Sequence, residues 1–436
     1  YFYKDSKTLM FASDMTLFLN EGFRNLDEGA VSNLICDGYV SGAQSVLKDV
    51  MKLSPGTYIE ARIADQDIQV TSSKYFQGFP ARSTQVSDDD AVEKLEYLLE
   101  QSVGDRLVAD VPIGCLLSGG IDSSLVAALM AKRSEKKIHT FSLGIDNPKF
   151  DETKYAVEVA KTIGSEHTVF YVSESDLLEQ VQLMPEIYAE PFADSSQVLM
   201  SVIAKNVSRS IKVCLAGDGG DEIFAGYNRY KFFENVWNFR QKLPGIFQKP
   251  ARRILSDISE ILGTHPGLAK YIEAKSNINR LDYKLANLSR MLKAQSPSEL
   301  YSLIMSAPKA STMLRSDIVR CNENSNLSRD CNLSLFRQAM QIDLSNYLVG
   351  DNLVKVDRAS MYWGLECREP LLDHRLVEFA ASLPDDLLIR DGKTKYILRK
   401  ILAKYIPQEL IDRPKMGFSA PVDDWFRGPL KELLLD

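Results

Sequence analysis

The chain has 436 residues, with 52 Lys and Arg against 59 Asp and Glu, for a formal net charge of −7. Hydrophobic residues make up 45% and charged residues 25%, the balance of a globular protein with material for a large core and for two units. The acidic balance gives no reason to expect nucleic acid or an anionic membrane as partner, and no apolar run reaches membrane-spanning length.

Residues 1–80 read as β-rich with short helices. The apolar run Leu9-Met10-Phe11 has the pattern of a strand end, and the Pro55-Gly56 turn leads into a strand through Thr57-Tyr58-Ile59. Gln77 to Ser87, containing Gly78, Pro80 and small polar residues, is the expected linker. Ser87, with Asp90 three residues on, opens a helix whose apolar side carries Val92, Leu95, Leu99 and Val103. From there strand and helix alternate. Strands are expected over 108–117, 138–143, 167–172 and 211–216, with a helix running to Arg133 after the first and another ending at Gly164 before the third. Such alternation predicts a parallel sheet covered on both faces, with ligands outside the carboxyl ends of its strands. Residues 230–350 read as mostly helical scaffold. The six cysteines show no Cys-x-x-Cys pair or disulfide framework, and the four histidines are too scattered for a metal cluster, so a reducing cytoplasm is the expected compartment. Cys115 and Cys214, in expected buried strands, read as small apolar residues.

Four stretches carry chemistry. The first, Ser118-Gly119-Gly120-Ile121-Asp122-Ser123-Ser124, lies between an apolar strand and a helix with Leu125, Val126, Leu129 and Met130 on its apolar face. Its glycines let the backbone approach an anion, and free N–H groups at the helix start point at it. Asp122 can hold the Mg²⁺ that accompanies phosphates, while Ser118, Ser123 and Ser124 donate hydroxyls. The second, Gly217-Asp218-Gly219-Gly220-Asp221-Glu222, crowds three carboxylates that repel unless a cation lies between them, which Mg-bound ATP would supply. The third runs from Asp351 through Lys355, Asp357 and Arg358 to Glu366, Arg368, Glu369 and Asp373. It interleaves charged and apolar residues like an ion-pair network lining a cleft. In the fourth, Thr394 is expected to cap a helix on which Lys395 and Arg399 share a face, an arrangement suited to a polyanion.

Together with Glu190-Pro191-Phe192-Ala193-Asp194-Ser195-Ser196 and Arg413-Pro414-Lys415-Met416-Gly417-Phe418, these motifs make the chain resemble, over essentially its whole length, the glutamine-dependent asparagine synthetases. The first stretch is similar to the pyrophosphate loop of enzymes that cleave ATP between its α and β phosphates. The resemblance implies an α/β fold: a parallel-sheet ATP-pyrophosphatase domain, adenine nucleotide α-hydrolase-like, over 87–436, preceded over 1–80 by the closing part of an Ntn-type glutaminase domain. It implies ATP and Mg²⁺, and a two-stage reaction in which aspartate forms β-aspartyl-AMP and ammonia, normally from glutamine, displaces AMP to give asparagine. Carried over by position, Asp122 and Asp221 would hold Mg²⁺, and Ser118, Gly119, Gly120, Asp122, Ser123 and Ser124 would cradle pyrophosphate. Leu116, Leu143 and Gly217 would contact adenosine through main-chain groups. Lys395 would stabilise charge at the α-phosphorus, and Asp218 would handle ammonia's proton. The implied partners are these small molecules, and a homodimer is compatible with the resemblance.

Three departures stand out. Asp218 is one methylene shorter than the Glu of better-known members, and Ala193 stands where they have an Arg, with Arg358 or Arg368 as the expected replacement. The family's N-terminal Cys nucleophile has no counterpart at the start of this chain, which reads as an internal fragment dependent on free ammonia. Two other readings keep the fold: adenylation of a different carboxylate by an amidotransferase or macrolactam former, or a non-catalytic nucleotide binder. The β-lactam formers carry a Tyr where Asp218 stands here, and the retained Asp122, Asp221 and Lys395 weigh against a non-catalytic role.

Overall fold

A computed structural model of the chain describes residues 1–64, 67–76, 86–145, 151–276, 280–307, 333–412, 420, 422–428 and 430–435. The expected linker at 77–87 falls almost wholly outside these, as do Cys321, Cys331 and the motif at 413–418.

The N-terminal part is two hairpins around a small helical core. Strands β1 (Phe2–Lys4) and β2 (Leu9–Phe11) pair antiparallel, and so do β3 (Thr57–Ala64) and β4 (Asp67–Lys74). Between the hairpins, helix Glu28–Asp37 begins at Asp27, whose side chain accepts from the Ala30 amide, and ends at Gly38 in the left-handed conformation. Met15, Phe18, Ala30, Val40, Val46, Leu47 and Val50 form its core.

Helix Asp88–Asp105 starts as expected, with Ser87 Oγ accepting from the Asp90 amide at 3.2 Å, and it buries Val92, Leu95, Leu99 and Val103. The central sheet holds β5 (Ile113–Leu116), β6 (His139–Ile145), β7 (Glu166–Val172), β8 (Val213–Leu215) and β9 (Glu366–Arg368). Their order is β7-β6-β5-β8-β9 and every neighbouring pair is parallel. Helix Thr153–Ile163 ends at Gly164 with φ 73°, the left-handed cap expected from the sequence. The chain grows outward from β5 in one direction through β6 and β7, then reverses to add β8 and β9. A crevice forms at such a reversal, outside the strands' carboxyl ends. That point lies between β5 and β8, the strands that feed the two glycine-rich loops.

Two expectations needed correction. The strand expected over 108–117 is only four residues long. Pro112 has no N–H for the ladder, and the carbonyls of Arg106 and Val108 accept from the Arg368 guanidinium instead, at 2.8 and 2.9 Å. The fifth strand, β9, lies in a segment read only as an ion network. Its three residues are too few to show a period of two.

Two cores flank the sheet, since successive strand residues Cys214 and Leu215 fall in different ones: one fully buries Leu95, Leu99, Leu125, Leu129 and Leu215, and the other holds Phe141, Met200, Ile203, Cys214 and Val356. Each such leucine contributes roughly 2 kcal/mol from removal of apolar area. The expected helical scaffold appears as Asn228–Lys242, Gly245–Thr264, Leu281–Met291, Pro297–Met305 and Leu335–Ile342. A π-helical stretch, Asp343–Asn352, then leads into helix Leu353–Tyr362. Wide turns of this kind concentrate at functional sites. Among the described residues no helix is long and apolar enough to cross a membrane.

Candidate active site

The loops after β5 and β8 meet backbone to backbone. A Cβ on Gly217 would lie 2.7 Å from the Ser123 amide nitrogen, and one on Gly220 would lie 2.5 Å from Asp122 Oδ1. Gly119 has φ 73°, and a Cβ there would meet the Ala156 nitrogen at 2.8 Å. A side chain at Gly217 or Gly220 would drive the two loops apart, and one at Gly119 would push the first loop off helix Thr153–Ile163. The first loop is ordered by its own hydroxyls: Ser118 Oγ lies 3.0 Å from Ser123 Oγ, and the Gly120 amide donates to Ser118 Oγ at 3.2 Å. Helix Ile121–Arg133 starts at this loop, so its free amides and dipole favour an anion there. Ser124 Oγ is buried with no hydrogen-bond partner among the described residues, as a group reserved for a ligand would be.

The loops open onto a cavity of about 930 Å³. Leu116, Ser118, Gly119, Gly120, Asp122, Ser123, Ser124, Leu143, Gly217, Asp218, Asp221 and Lys395 all line it, so the residues expected at phosphate, Mg²⁺, adenosine and the transferred proton are brought to one place.

Of the three acids in the second loop, Asp221 meets a cation of the chain's own, Lys395, which it shares with Asp122 of the first loop. The lysine Nζ lies 2.6 Å from Asp221 Oδ1 and also contacts Asp122 Oδ2. Burial lowers the pKa of such an ammonium, but the two carboxylates outweigh it and raise the group on balance. The expected cap at Thr394 is absent. Thr394 pairs with Ile389 in a short hairpin, and the residue before helix Tyr396–Leu402 is Lys395 itself, left-handed with φ 54°. A non-glycine residue in that conformation costs of order 1–3 kcal/mol, offset here by the two ion pairs. Arg399, on the next turn, is turned to the backbone, with Nε on the Thr394 carbonyl at 2.8 Å and Nη1 on the Ile411 carbonyl at 2.9 Å.

Among the described residues no three His, Cys, Asp or Glu side chains stand together as a metal cage. Mg²⁺ arriving with ATP needs only one or two carboxylates besides the phosphates, a demand that Asp122 and Asp221 fit.

The other acids differ sharply in environment. Burial raises Asp218, Lys355 opposes the rise, and Asp122 and Asp221 add to it. Glu369 is raised by burial and by Asp218, and its Oε2 has no hydrogen-bond partner among the described residues. Glu222, fully buried, is pushed up to about 7 by burial and Asp221, while its Oε1 accepts from the Tyr227 hydroxyl at 2.8 Å.

A second charged group lies on the cavity wall, its lysine in the stretch expected to form an ion-pair network lining a cleft: Lys355 Nζ and Asp194 Oδ2 pair at 2.9 Å. Asp194 Oδ1 accepts from both the amide and the hydroxyl of Ser196, at 2.8 and 2.7 Å. The arginines expected to stand in for the residue missing at 193 lie elsewhere. Arg358 faces Asp14 and the Ser13 carbonyl, Arg368 holds backbone carbonyls, and neither lines the cavity. Ala193 itself faces the N-terminal part, its amide donating to the Gly38 carbonyl at 2.6 Å.

Comparison with known proteins places the chain. The family model described as "Asparagine synthase" matches residues 94–436. "Asparagine synthetase (glutamine-hydrolyzing) 1" of Bacillus subtilis is 26% identical over 440 residues, covering 99% of this chain and 64% of that protein. A candidate asparagine synthetase (glutamine-hydrolyzing) of Mycobacterium tuberculosis is 30% identical over 415 residues, covering 92% and 59%. The chain therefore spans less than two thirds of the length of these curated relatives. Among solved structures, an ammonia-dependent NAD synthetase of Campylobacter jejuni covers 48% of this chain and 96% of its own at 13% identity, with a TM-score of only 0.24. With a glycine-rich strand-loop-helix turn at the reversal of a parallel sheet and a match over most of its length, the chain belongs to the asparagine synthase family.

Proposed function

We propose that the chain carries out ATP-dependent amidation of a carboxylate, with aspartate as acceptor and asparagine as product, through β-aspartyl-AMP. The observation that carries this reading is the placement of Lys395 against Asp122 and Asp221 at the mouth of the Ser118–Ser124 loop.

In the first stage, an oxygen of the aspartate side-chain carboxylate attacks the α-phosphorus of ATP and the bond to the β-phosphate oxygen breaks, releasing pyrophosphate. Amides of the 118–124 loop and the Ser118, Ser123 and Ser124 hydroxyls hold the phosphates. Lys395 sets positive charge where negative charge builds up. Bound Mg²⁺, held by Asp122 and Asp221, would supply charge neutralisation on the phosphate oxygens. Main-chain groups of Leu116, Leu143 and Gly217 take adenosine. In the second stage, ammonia's nitrogen attacks the acyl carbon, AMP leaves with the bonding electrons, and the surplus proton on nitrogen passes to Asp218. A carboxylate raised by burial is a better proton acceptor than an exposed one, which suits Asp218 to that task. Residues 1–80 resemble the closing part of an Ntn-type glutaminase domain.

The test is pyrophosphate release from Mg-ATP and ammonium, with and without aspartate. Aspartate-dependent release with one asparagine formed per pyrophosphate upholds the reading. Folded, ATP-binding protein that ignores aspartate refutes aspartate as acceptor, and a panel of other carboxylates then separates the alternatives.

A further inference from the structure

The Asp194–Lys355 pair sits on the same cavity as the phosphate loop, and among the described residues it makes no hydrogen bond to Lys395 or the glycine-rich turns, acting on them only through the charge of Lys355 near Asp218. Its side chains are 17% and 11% exposed, so both charges are largely desolvated. A buried ion pair is poor value for stability, because apolar residues of similar volume often serve as well. A pair on the wall of a cavity is where a ligand can reach both charges. We infer that Asp194 and Lys355 recognise the α-ammonium and α-carboxylate of the acceptor amino acid, presenting its side-chain carboxylate to the phosphate loop. This rests on the amidation of an amino acid proposed above.

Three features fit the role. Both groups are pre-set: Asp194 is locked by the two Ser196 donors at the start of helix Ser196–Val207, and the Lys355 carbonyl accepts from the Tyr188 hydroxyl at 2.9 Å. Lys355 uses one of its three ammonium donors on Asp194, which leaves donors for a carboxylate. The charges also balance. Burial and Asp194 push neighbouring Asp351 up to about 8, so it stays largely protonated at neutral pH, and a neutral ion pair complements a zwitterion.

The other described cations on the cavity are committed elsewhere. Lys231 donates to the Gly392 carbonyl, Lys393 pairs with Asp412, Lys395 is held by Asp122 and Asp221, and Arg399 is spent on backbone carbonyls.

Aspartate, succinate (no amine) and β-alanine (no α-carboxylate) are compared in the pyrophosphate-release assay with ammonium. Lys355→Met is expected to raise the aspartate KM about ten- to a hundredfold, the loss typical of a desolvated charged hydrogen bond. It should also erase most of the preference over β-alanine while leaving the ATP KM within about twofold. Asp194→Asn should do the same against succinate, and Lys355→Arg should restore much of the preference for aspartate. Variants that bind ATP normally yet keep the aspartate preference overturn the inference. So does loss of ATP binding in all three variants, which would mark the pair as structural. If the unaltered chain releases no pyrophosphate with aspartate, the proposed function fails by itself. Calorimetric titration with aspartate then decides the pair: binding that Lys355→Met abolishes sustains it, and equal or absent binding refutes it.

Discussion

Lys395 combines the roles of counter-ion and proposed transition-state charge in one buried side chain. Without it, Asp122 and Asp221 face each other, so Lys395→Met should cost about 3–5 kcal/mol, the scale for breaking a buried pair. Thermal unfolding should show part of that loss restored by millimolar Mg²⁺, which neutralises the same two acids. For catalysis, Lys395→Ala is expected to leave Mg-ATP binding within a few fold while cutting pyrophosphate release by about 10²–10³, since its charge acts mainly as the α-phosphorus gains bonds. Equal losses in binding and rate would contradict that division. Asp218→Asn should behave differently. Aspartate-dependent exchange of pyrophosphate into ATP should persist while asparagine formation falls by about 10²–10⁴, the range for losing a general base. Asp351 adds a pH signature. Its folded pKa near 8 lies above the ordinary carboxylate value, so the unfolded chain releases its proton first as pH rises. Its contribution to stability therefore falls between about pH 4 and pH 8. Asp351→Asn should flatten that part of the stability–pH curve, as read by denaturant midpoints. The acids of the 217–222 loop were legible as chemistry because carboxylates at that density demand a cation. That the cation at Asp221 is Lys395 was not legible, since 174 residues separate the two and only the fold closes that distance.

Elements with a strong period were read correctly from sequence, and several short ones without one were not. Helix Asp88–Asp105 announced itself through its Ser87 start and the spacing of Val92, Leu95, Leu99 and Val103. Strands β5 and β9 gave poor signals because they are four and three residues long, and their edges are set by Pro112 and by the Arg368 guanidinium rather than by hydrophobic alternation. Thr394 was a reasonable cap by residue type, but hairpin pairing with Ile389 takes its backbone away from the helix start. The two glycine-rich turns succeed as elements through close approach. At Gly226 an added Cβ would fall 1.9 Å from Asp221 Oδ1 and 2.1 Å from Lys395 Cε. Gly226→Ala is therefore expected to push the Lys395–Asp221 pair apart. Pyrophosphate release should fall by at least about tenfold, with a smaller effect on thermal stability because side-chain ends rather than backbone must yield.

At the scale of the whole molecule, Glu190 ties the N-terminal part to the cavity. Its carboxylate accepts from the Val46 amide at 2.9 Å, the Tyr1 hydroxyl at 3.1 Å and Lys52 Nζ at 2.7 Å, four residues before Asp194. Glu190→Ala should loosen residues 1–52. Hydrogen exchange should then quicken by about tenfold or more at the Val46 amide and remain unchanged in β6, and unchanged exchange at Val46 would rule the clamp out. The parallel-sheet class and the glycine-rich strand-loop-helix turn after β5 were readable from the chain alone. Period, glycine placement and the strand-loop-helix order are local properties, and local sterics and hydrogen bonding enforce them wherever they occur. The meeting of Lys395 with Asp122 and Asp221, the pairing of Asp194 with Lys355, and the turning of Ala193 and Arg358 toward the N-terminal part depend on which distant segments pack together. Burial of the whole core decides that packing, and no local spacing encodes it.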